Sequence, residues 1–256
     1  MKKNIILKSI FEKGGFYKGL NFKKNELSIL RKIIKKKYLE IIKTTHPNML
    51  RKFSAKSITD YHTLSRYIDH SNLWTKENRL FTATEVLKFK KLKFFKNLKK
   101  IFGENLKISN EEKLRKEEVY WRIVRPKNIN DVGPLHADGW FWKLNNWLTP
   151  KNYFRLKMWI PIYNEKNNTG LVYVPNTHDK NIAYKSIKLH GKIKPVKPLL
   201  RRGIKKKSFN LKPGQTVLFN DNLLHGGSIG KNKTRVSMEF TMFIRKNKSI
   251  KLQNLN

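Results

Sequence analysis

The stretch KPGQTVLFNDNLLHGG (residues 212–227) reads as turn, strand, turn, histidine. Pro213-Gly214 marks the first turn, Thr216 to Phe219 a short buried strand, and Asn220-Asp221-Asn222 the second turn. Gly226-Gly227 then lets other backbone approach closely behind His225. Ten residues past His225, Arg235 opens the run RVSMEFTMFI (235–244), a strand on which Arg235 and Ser237 share one face. Upstream, EVYWRIVRP (118–126) alternates β-branched and aromatic residues and reads as another strand. Between the two lies His136-Ala137-Asp138, with Asp138 87 residues ahead of His225. A His-x-Asp pair, a distant histidine and a trailing arginine are what a 2-His-1-carboxylate iron site with an anionic co-substrate requires. Two neutral imidazoles and one carboxylate take one face of Fe(II), and three positions stay open. The His-x-Asp spacing suits a strand or strand end, where residues two apart point to the same side. A guanidinium fork at Arg235 and a hydroxyl at Ser237 can grip one carboxylate.

The segments HADGWFW (136–142), LKMWIPIYN (156–164), NNTGLVYVPNTH (167–178), KPGQTVLFNDNLLHGG and RVS follow one another in an order that resembles the phytanoyl-CoA dioxygenase-like branch of Fe(II)/2-oxoglutarate-dependent oxygenases. The resemblance runs from about Trp121 to Phe243, half the chain. It implies a mainly β fold with helices: a double-stranded β-helix (jelly-roll, cupin-like) core with a helical N-terminal region packed on it. It also implies His136, Asp138 and His225 as iron ligands, and Arg235 and Ser237 as ligands of the far carboxylate of 2-oxoglutarate. Trp159 matches a position that lines the co-substrate pocket. The implied cofactor set is Fe(II), 2-oxoglutarate and O2, and the implied reaction is hydroxylation of a substrate C–H bond. Asp138 argues against halogenation, because halogenating relatives lack that carboxylate. Two departures bear on substrate: Asn176-Thr177-His178 stands where the family shows Gly-Ser-His, and HADGWFW is unusually aromatic.

Most aromatic residues around the motif read as core, with Trp140 and Trp142 the exceptions, since they follow the iron ligand and can face substrate. His178 either reaches toward the substrate mouth or pins the Pro175 turn. Lys157 and Arg122 are the other cations that can serve the co-substrate carboxylate.

Composition bounds the rest. A chain of 256 residues suits one domain with an elaboration and can bury a substantial core. The absence of cysteine excludes disulfides, thiolate metal sites and cysteine catalysis. No apolar run approaches the length of a membrane span. The start, MKKNIILKSIFEKGG, has a signal peptide's lysines, but its apolar stretch ends at Lys8 and no small-residue cleavage site follows, so a cytoplasmic location is expected. Fifty-seven Lys plus Arg against 18 Asp plus Glu give a formal net charge of +39. An AT-rich coding sequence favours lysine but also favours Glu and Asp codons, so it does not explain the deficit of acids. From Val119 onward only Asp131, Asp138, Glu165, Asp179, Asp221 and Glu239 remain. Such a surface concentrates polyanions: nucleic acid, anionic lipid, coenzyme A thioesters or an acidic carrier protein.

Residues 1–116 form a basic, helical N-terminal region, 117–246 the jelly-roll core, and 247–256 a basic tail, all in one integrated domain. Leu27, Leu30, Ile34, Tyr38 and Ile41 recur at helical steps. A second helix over Thr84 to Phe102 carries Val86, Phe89, Leu92, Phe95, Leu98 and Phe102 on one side and ends at Gly103. Within the core, the insertion 179–207 holds eleven Lys or Arg and a single acid, ending RRGIKKK. It is either a solvated loop or an anion clamp in which Arg201, Arg202, Lys205, Lys206 and Lys207 hold a phosphate- or carboxylate-bearing substrate. The expected substrate is therefore small or carrier-tethered and anionic: acyl-CoA, a carrier-bound acyl or amino-acyl group, an amino acid, or a lipid or sugar intermediate. Two rivals stand beside this reading: a nucleic-acid-directed oxygenase or demethylase, and a basic jelly-roll binding protein whose metal site is unused.

Overall fold

The computed structural model describes residues 2–109, 117–165, 170–189, 191–200 and 204–246. Eleven strands are described: β1 (Phe16–Asn21), β2 (Lys107–Ile108), β3 (Tyr120–Val124), β4 (Tyr153–Tyr163), β5 (Gly170–Tyr173), β6 (Tyr184–Leu189), β7 (Lys192–Pro198), β8 (Lys207–Ser208), β9 (Gln215–Asn220), β10 (His225–Ser228) and β11 (Arg235–Arg245). The α-helices are α1 (Lys2–Lys8), α2 (Lys24–Thr45), α3 (Leu50–Ser54), α4 (His70–Leu73), α5 (Ala83–Lys91), α6 (Lys93–Phe102) and α7 (Asp138–Leu144). A large antiparallel sheet has the order β1-β9-β4-β11-β2, with β3 also paired to β11. A smaller sheet, β10-β5-β8, and a β6-β7 hairpin complete the jelly roll.

The alternation of side chains along each strand decides what the large sheet faces. On β11, Val236, Met238, Phe240, Met242 and Ile244 are buried in one apolar core, and so are Leu156, Met158, Ile160 and Ile162 on β4. That core is closed from the other side by Leu30, Ile34 and Tyr38 of α2 with Phe89 of α5 and Phe95 of α6. The opposite face of the same strands carries Arg235, Ser237, Glu239 and Thr241 on β11 and Lys157 and Trp159 on β4. Trp159, Val217 and Phe219 of the large sheet meet Leu171 and Tyr173 of the small one in a second apolar cluster. The polar inner face is thus held between two sheets, with the helical layer behind one of them.

Three expectations are corrected here. The segment Thr84 to Phe102 is two helices, because Leu92 is extended (φ −63°, ψ 144°) between α5 and α6. Its apolar spacing survives the break, which is why the sequence shows one stripe. The break has a partner: the buried Glu26 carboxylate accepts from the Phe94 backbone N–H at 2.7 Å and from that of Lys23 at 3.0 Å, so one side chain serves the N-termini of α6 and α2. On α2 the innermost residue of the last turn is Ile42, fully buried, and Ile41 is only partly covered. Finally, the first 116 residues are not wholly helical: β1 pairs with β9 and β2 with β11, so this region contributes strands to the large sheet. Arg201, Arg202 and the tail 247–256 lie outside the described residues.

Candidate metal and co-substrate site

The His-x-Asp pair does not lie on one strand. His136 is joined to His225 by a reciprocal pair of backbone hydrogen bonds, each 2.9 Å, and Asp138 opens α7. Ala137, the residue between, is extended (φ −110°, ψ 134°), so the two-residue spacing still brings both side chains to the same side. Gly139 holds the start of α7 in place. Its N–H donates to the Asp221 carbonyl at 2.8 Å, and a Cβ there would meet Asn222 Oδ1 at 2.2 Å, so glycine leaves the Asn222 side chain room where it stands. Arg155 in turn fixes Asp221 through an ion pair of 2.6 Å.

The donor atoms of His136, Asp138 and His225 lie within 4.8 Å of one another. His136 Nε2 is 3.7 Å from Asp138 Oδ1, and His225 Nε2 is 3.6 Å from Asp138 Oδ2. Each imidazole turns its Nδ1 to a carbonyl two residues earlier, His136 to Pro134 at 2.7 Å and His225 to Leu223 at 2.8 Å. With Nδ1–H donated to those carbonyls, the Nε2 lone pairs face the carboxylate as metal-ligand histidines require. Burial pushes His225 down to about 4, against the pull of Asp138, which keeps its ring neutral near pH 7. Burial alone would raise the Asp138 carboxyl, but Lys157, His225 and His136 outweigh it and hold the group well below the usual carboxylate range. Asp138 Oδ2 is nonetheless buried without a hydrogen-bond donor. A neutral, tautomer-fixed imidazole pair beside an ionised carboxylate with an unfilled oxygen fits a divalent metal such as Fe(II).

A cavity of about 190 Å³ adjoins the triad. Arg235, 2% exposed, reaches it from β11 and donates from Nη1 to Ser237 Oγ at 3.2 Å. Its Nε has no hydrogen-bond partner among the described residues, and its guanidinium carbon stands 5.6 Å from the centre of the Trp159 ring. Burial and the neighbouring Arg122 push Arg235 down to about 10, which leaves it charged at neutral pH. Lys157 Nζ lies 3.9 Å from Asp138 Oδ2, and Arg122 Nη2 lies 3.4 Å from Glu239 Oε1. Burial would raise Glu239, but Lys157 and Arg122 hold it down to about 2. The charged lining is therefore three cations against two carboxylates before any ligand enters.

The remaining expected residues scatter. Trp142 is buried, lines the cavity and packs edge-on against Trp147, with the Arg155 guanidinium 4.5 Å above its ring. Trp140 points elsewhere, stacked on Tyr184 at 4.2 Å, because residues two apart on a helix face nearly opposite ways. Phe141, between them, lines the cavity and meets His136 edge-on. His178 is buried against Gly15 and is not part of the cavity wall. Lys205, Lys206 and Lys207 are exposed and do not line it either. Glu239 and Trp147 were not singled out from sequence as site residues. Glu239 had a readable signal: it is the one charge inside the apolar run of β11, two residues from Ser237 on the same face. Asp131 is a further support. It receives Arg125 Nε at 2.9 Å and Nη2 at 2.7 Å, and so ties down the loop that brings Val132 and Gly133 to the cavity.

A sequence profile described as Phytanoyl-CoA dioxygenase (PhyH) matches residues 50–236. No curated protein matches the chain by sequence. Among solved structures, the non-haem monooxygenase ThoJ in its apo form superimposes with a TM-score of 0.56 at 13% identity, covering 93% of this chain and 77% of that one. EvdO2 from Micromonospora carbonacea var. aurantiaca, complexed with 2-oxoglutarate, also gives 0.56, at 12% identity, over 93% of this chain and 89% of that one. EctD from S. alaskensis, with 2-oxoglutarate and 5-hydroxyectoine, gives 0.51 at 12% identity, over 92% and 74%. At these identities the superpositions speak for the fold.

Proposed function

Because this chain belongs to the phytanoyl-CoA dioxygenase family, we propose that His136, Asp138 and His225 hold Fe(II), that Arg235 and Ser237 bind the far carboxylate of 2-oxoglutarate, and that the substrate is a small or carrier-tethered anion. The chain is a non-haem Fe(II)- and 2-oxoglutarate-dependent dioxygenase of the hydroxylase kind. The observation that carries the ligand assignment is the pair of backbone carbonyls that fix both imidazoles with Nε2 toward Asp138. When bound, the iron activates O2 so that 2-oxoglutarate is oxidised to succinate and CO2 while a substrate C–H bond becomes C–OH.

The protein's share is placement and exclusion of water. Arg235 is already desolvated, and its unpartnered Nε gives an entering carboxylate a donor that need not be stripped of water. Trp159 walls the guanidinium from one side. Lys157 keeps Asp138 ionised. Phe141, Trp142 and Trp147 give the cavity an aromatic wall on the α7 side, suited to holding a C–H bond away from water. The one cation in excess of the lining carboxylates is Arg235, which the co-substrate takes up. The clamp role expected of Arg201 and Arg202 concerns residues outside those described.

The test is anaerobic titration of the apo-protein with Fe(II) and 2-oxoglutarate, followed by O2 and a succinate assay. A weak visible charge-transfer band that needs both additions, and that His225→Ala and Asp138→Ala abolish, is expected. A folded protein that gives no such band would remove the ligand assignment.

A further inference from the structure

The insertion within the jelly roll carries the β6-β7 hairpin, with an outward face that nothing in the site uses. It is fastened to α7 by a reciprocal pair of bonds: Asn145 Nδ2 donates to the Ile193 carbonyl at 2.9 Å, and the Ile193 N–H donates to Asn145 Oδ1 at 3.0 Å. Tyr184 stacks on Trp140, and Pro195 of β7 is buried. These contacts define an inner face. Ile187 lies opposite Lys194, and Leu189 opposite Lys192. Residues directly opposite in an antiparallel pair share a face, and strand neighbours alternate. The face away from Pro195 therefore carries Ile187 and Leu189, each beside a lysine.

Every residue of β6 after Tyr184 is exposed, Ile187 at 48% and Leu189 at 42%. Among the described residues β6 pairs with β7 alone. Of the ten large exposed apolar side chains among the described residues, four, Ile187, Leu189, Leu199 and Ile204, fall in this one segment. Residues 179–207 meanwhile hold eleven Lys or Arg and one acid.

We propose that the β6-β7 hairpin docks this enzyme on an anionic lipid surface, with Ile187 and Leu189 entering the headgroup–acyl boundary and the surrounding lysines pairing with phosphates. Charge complementarity alone would equally suit nucleic acid. Exposed isoleucine and leucine interleaved with lysine suit an interface that is apolar below and anionic above. Phosphate backbones of nucleic acid offer nothing to those two side chains. The hairpin hangs from the C-terminal end of the helix that Asp138 opens, so docking there would hold the cavity close to the lipid.

The experiment is co-sedimentation of the full chain with phosphatidylcholine vesicles, with and without about a third phosphatidylglycerol. Three proteins are compared: wild type, Ile187→Ser/Leu189→Ser, and Lys185→Gln/Lys194→Gln/Lys197→Gln, whose lysines share the outward face. Iron-dependent formation of succinate from 2-oxoglutarate serves as the folding control, since none of these residues lines the cavity. Wild type should bind the anionic vesicles only, and release as salt rises from about 0.1 to 1 M. Each neutralised lysine should weaken partitioning by about fivefold, and each serine by roughly tenfold. Absence of wild-type binding at low salt overturns the proposal, and so does binding that the hairpin variants leave unchanged. Binding lost with the lysines but indifferent to the serines also overturns it, and points to a purely electrostatic polyanion such as nucleic acid.

Discussion

Replacing Arg235 by methionine should stabilise the apo-protein and abolish its response to 2-oxoglutarate. The guanidinium is 2% exposed, its Nε is unpartnered, and its described hydrogen bond is to Ser237. Burial, with Arg122 adding repulsion, pushes it from an ordinary 12.5 down to about 10. A base depressed in the folded state costs stability wherever it is charged, which includes neutral pH, and the cost fades only as pH climbs past about 10. That depression corresponds to ~3 kcal/mol, against ~1 kcal/mol for the lost Ser237 bond. Methionine fills comparable volume without a charge. The net gain of ~2 kcal/mol should raise the apo Tm by roughly 5 °C. The same change removes a charge-assisted, two-pronged contact to a carboxylate, so 2-oxoglutarate should bind about tenfold to a hundredfold more weakly. The assay is thermal unfolding with a redox-inert divalent metal, with and without 2-oxoglutarate. A methionine variant that melts lower than wild type when apo, or that keeps the wild-type shift with 2-oxoglutarate, would refute the reading of Arg235 as a cation held ready for an anion.

Gly139→Ala should weaken Fe(II) binding, because its Cβ would lie 2.2 Å from Asn222 Oδ1 and push the start of α7, with Asp138, away from His225; Gly139→Ala/Asn222→Gly should restore binding, and failure to rescue would show that the clash is not the cause. The apo-protein should lose stability as pH falls from 6.5 toward 4. Burial lowers both His225 and His70 to about 4, so the unfolded chain takes up protons that the folded one refuses across that window; a flat Tm over this range would contradict it. Lys157→Met removes the ammonium 3.9 Å from Asp138, so the Asp138 carboxyl should rise and proton competition with Fe(II) should begin at higher pH, read as a shifted acid limb in metal titrations. Glu26→Gln should lower Tm, since a carboxylate that serves two helix N-termini becomes an amide with one acceptor oxygen, at ~1 kcal/mol or more.

The strands were legible because period-2 patterning is local. RVSMEFTMFI shows its apolar face as Val, Met, Phe, Met and Ile, and its other face as Arg, Ser, Glu and Thr, before any partner is known. His136 and Asp138 were legible as a pair for the same reason, as spacing on extended backbone, whereas His225 joined them only through the order of the family's segments. What spacing hid was the change of geometry at Asp138. Extended backbone runs through Ala137 and helix begins one residue later, so a rule that holds for positions 136 and 138 fails for 140 and 142. Trp142 alone then reaches the cavity, with Phe141 as its neighbour there. The break at Leu92 was hidden for a different reason: the group that caps the helix after it is Glu26, 66 residues before Leu92, which no local window contains. His178 illustrates a third limit. A histidine after a turn near the barrel mouth looks available, and only the packing of Gly15 beneath it places it in the interior.

The overall charge of +39 and the site's charge are separate matters. Surface lysines act through water and counterions, which screen them beyond ~10 Å at moderate salt, so their number says little about what the cavity binds. The cavity's own cations are few and dry. Arg122 leans on Glu239 and Lys157 on Asp138, while Arg235 makes no ion pair among the described residues. Among the described residues that pairing leaves one desolvated cation, so in the proposed reading it is the arrangement, not the total, that would select the co-substrate. The outward lysines gain meaning only where something else breaks the symmetry of a solvated basic surface. On this chain that happens at Ile187 and Leu189, where apolar side chains stand among the cations on a strand that has one neighbour among the described residues.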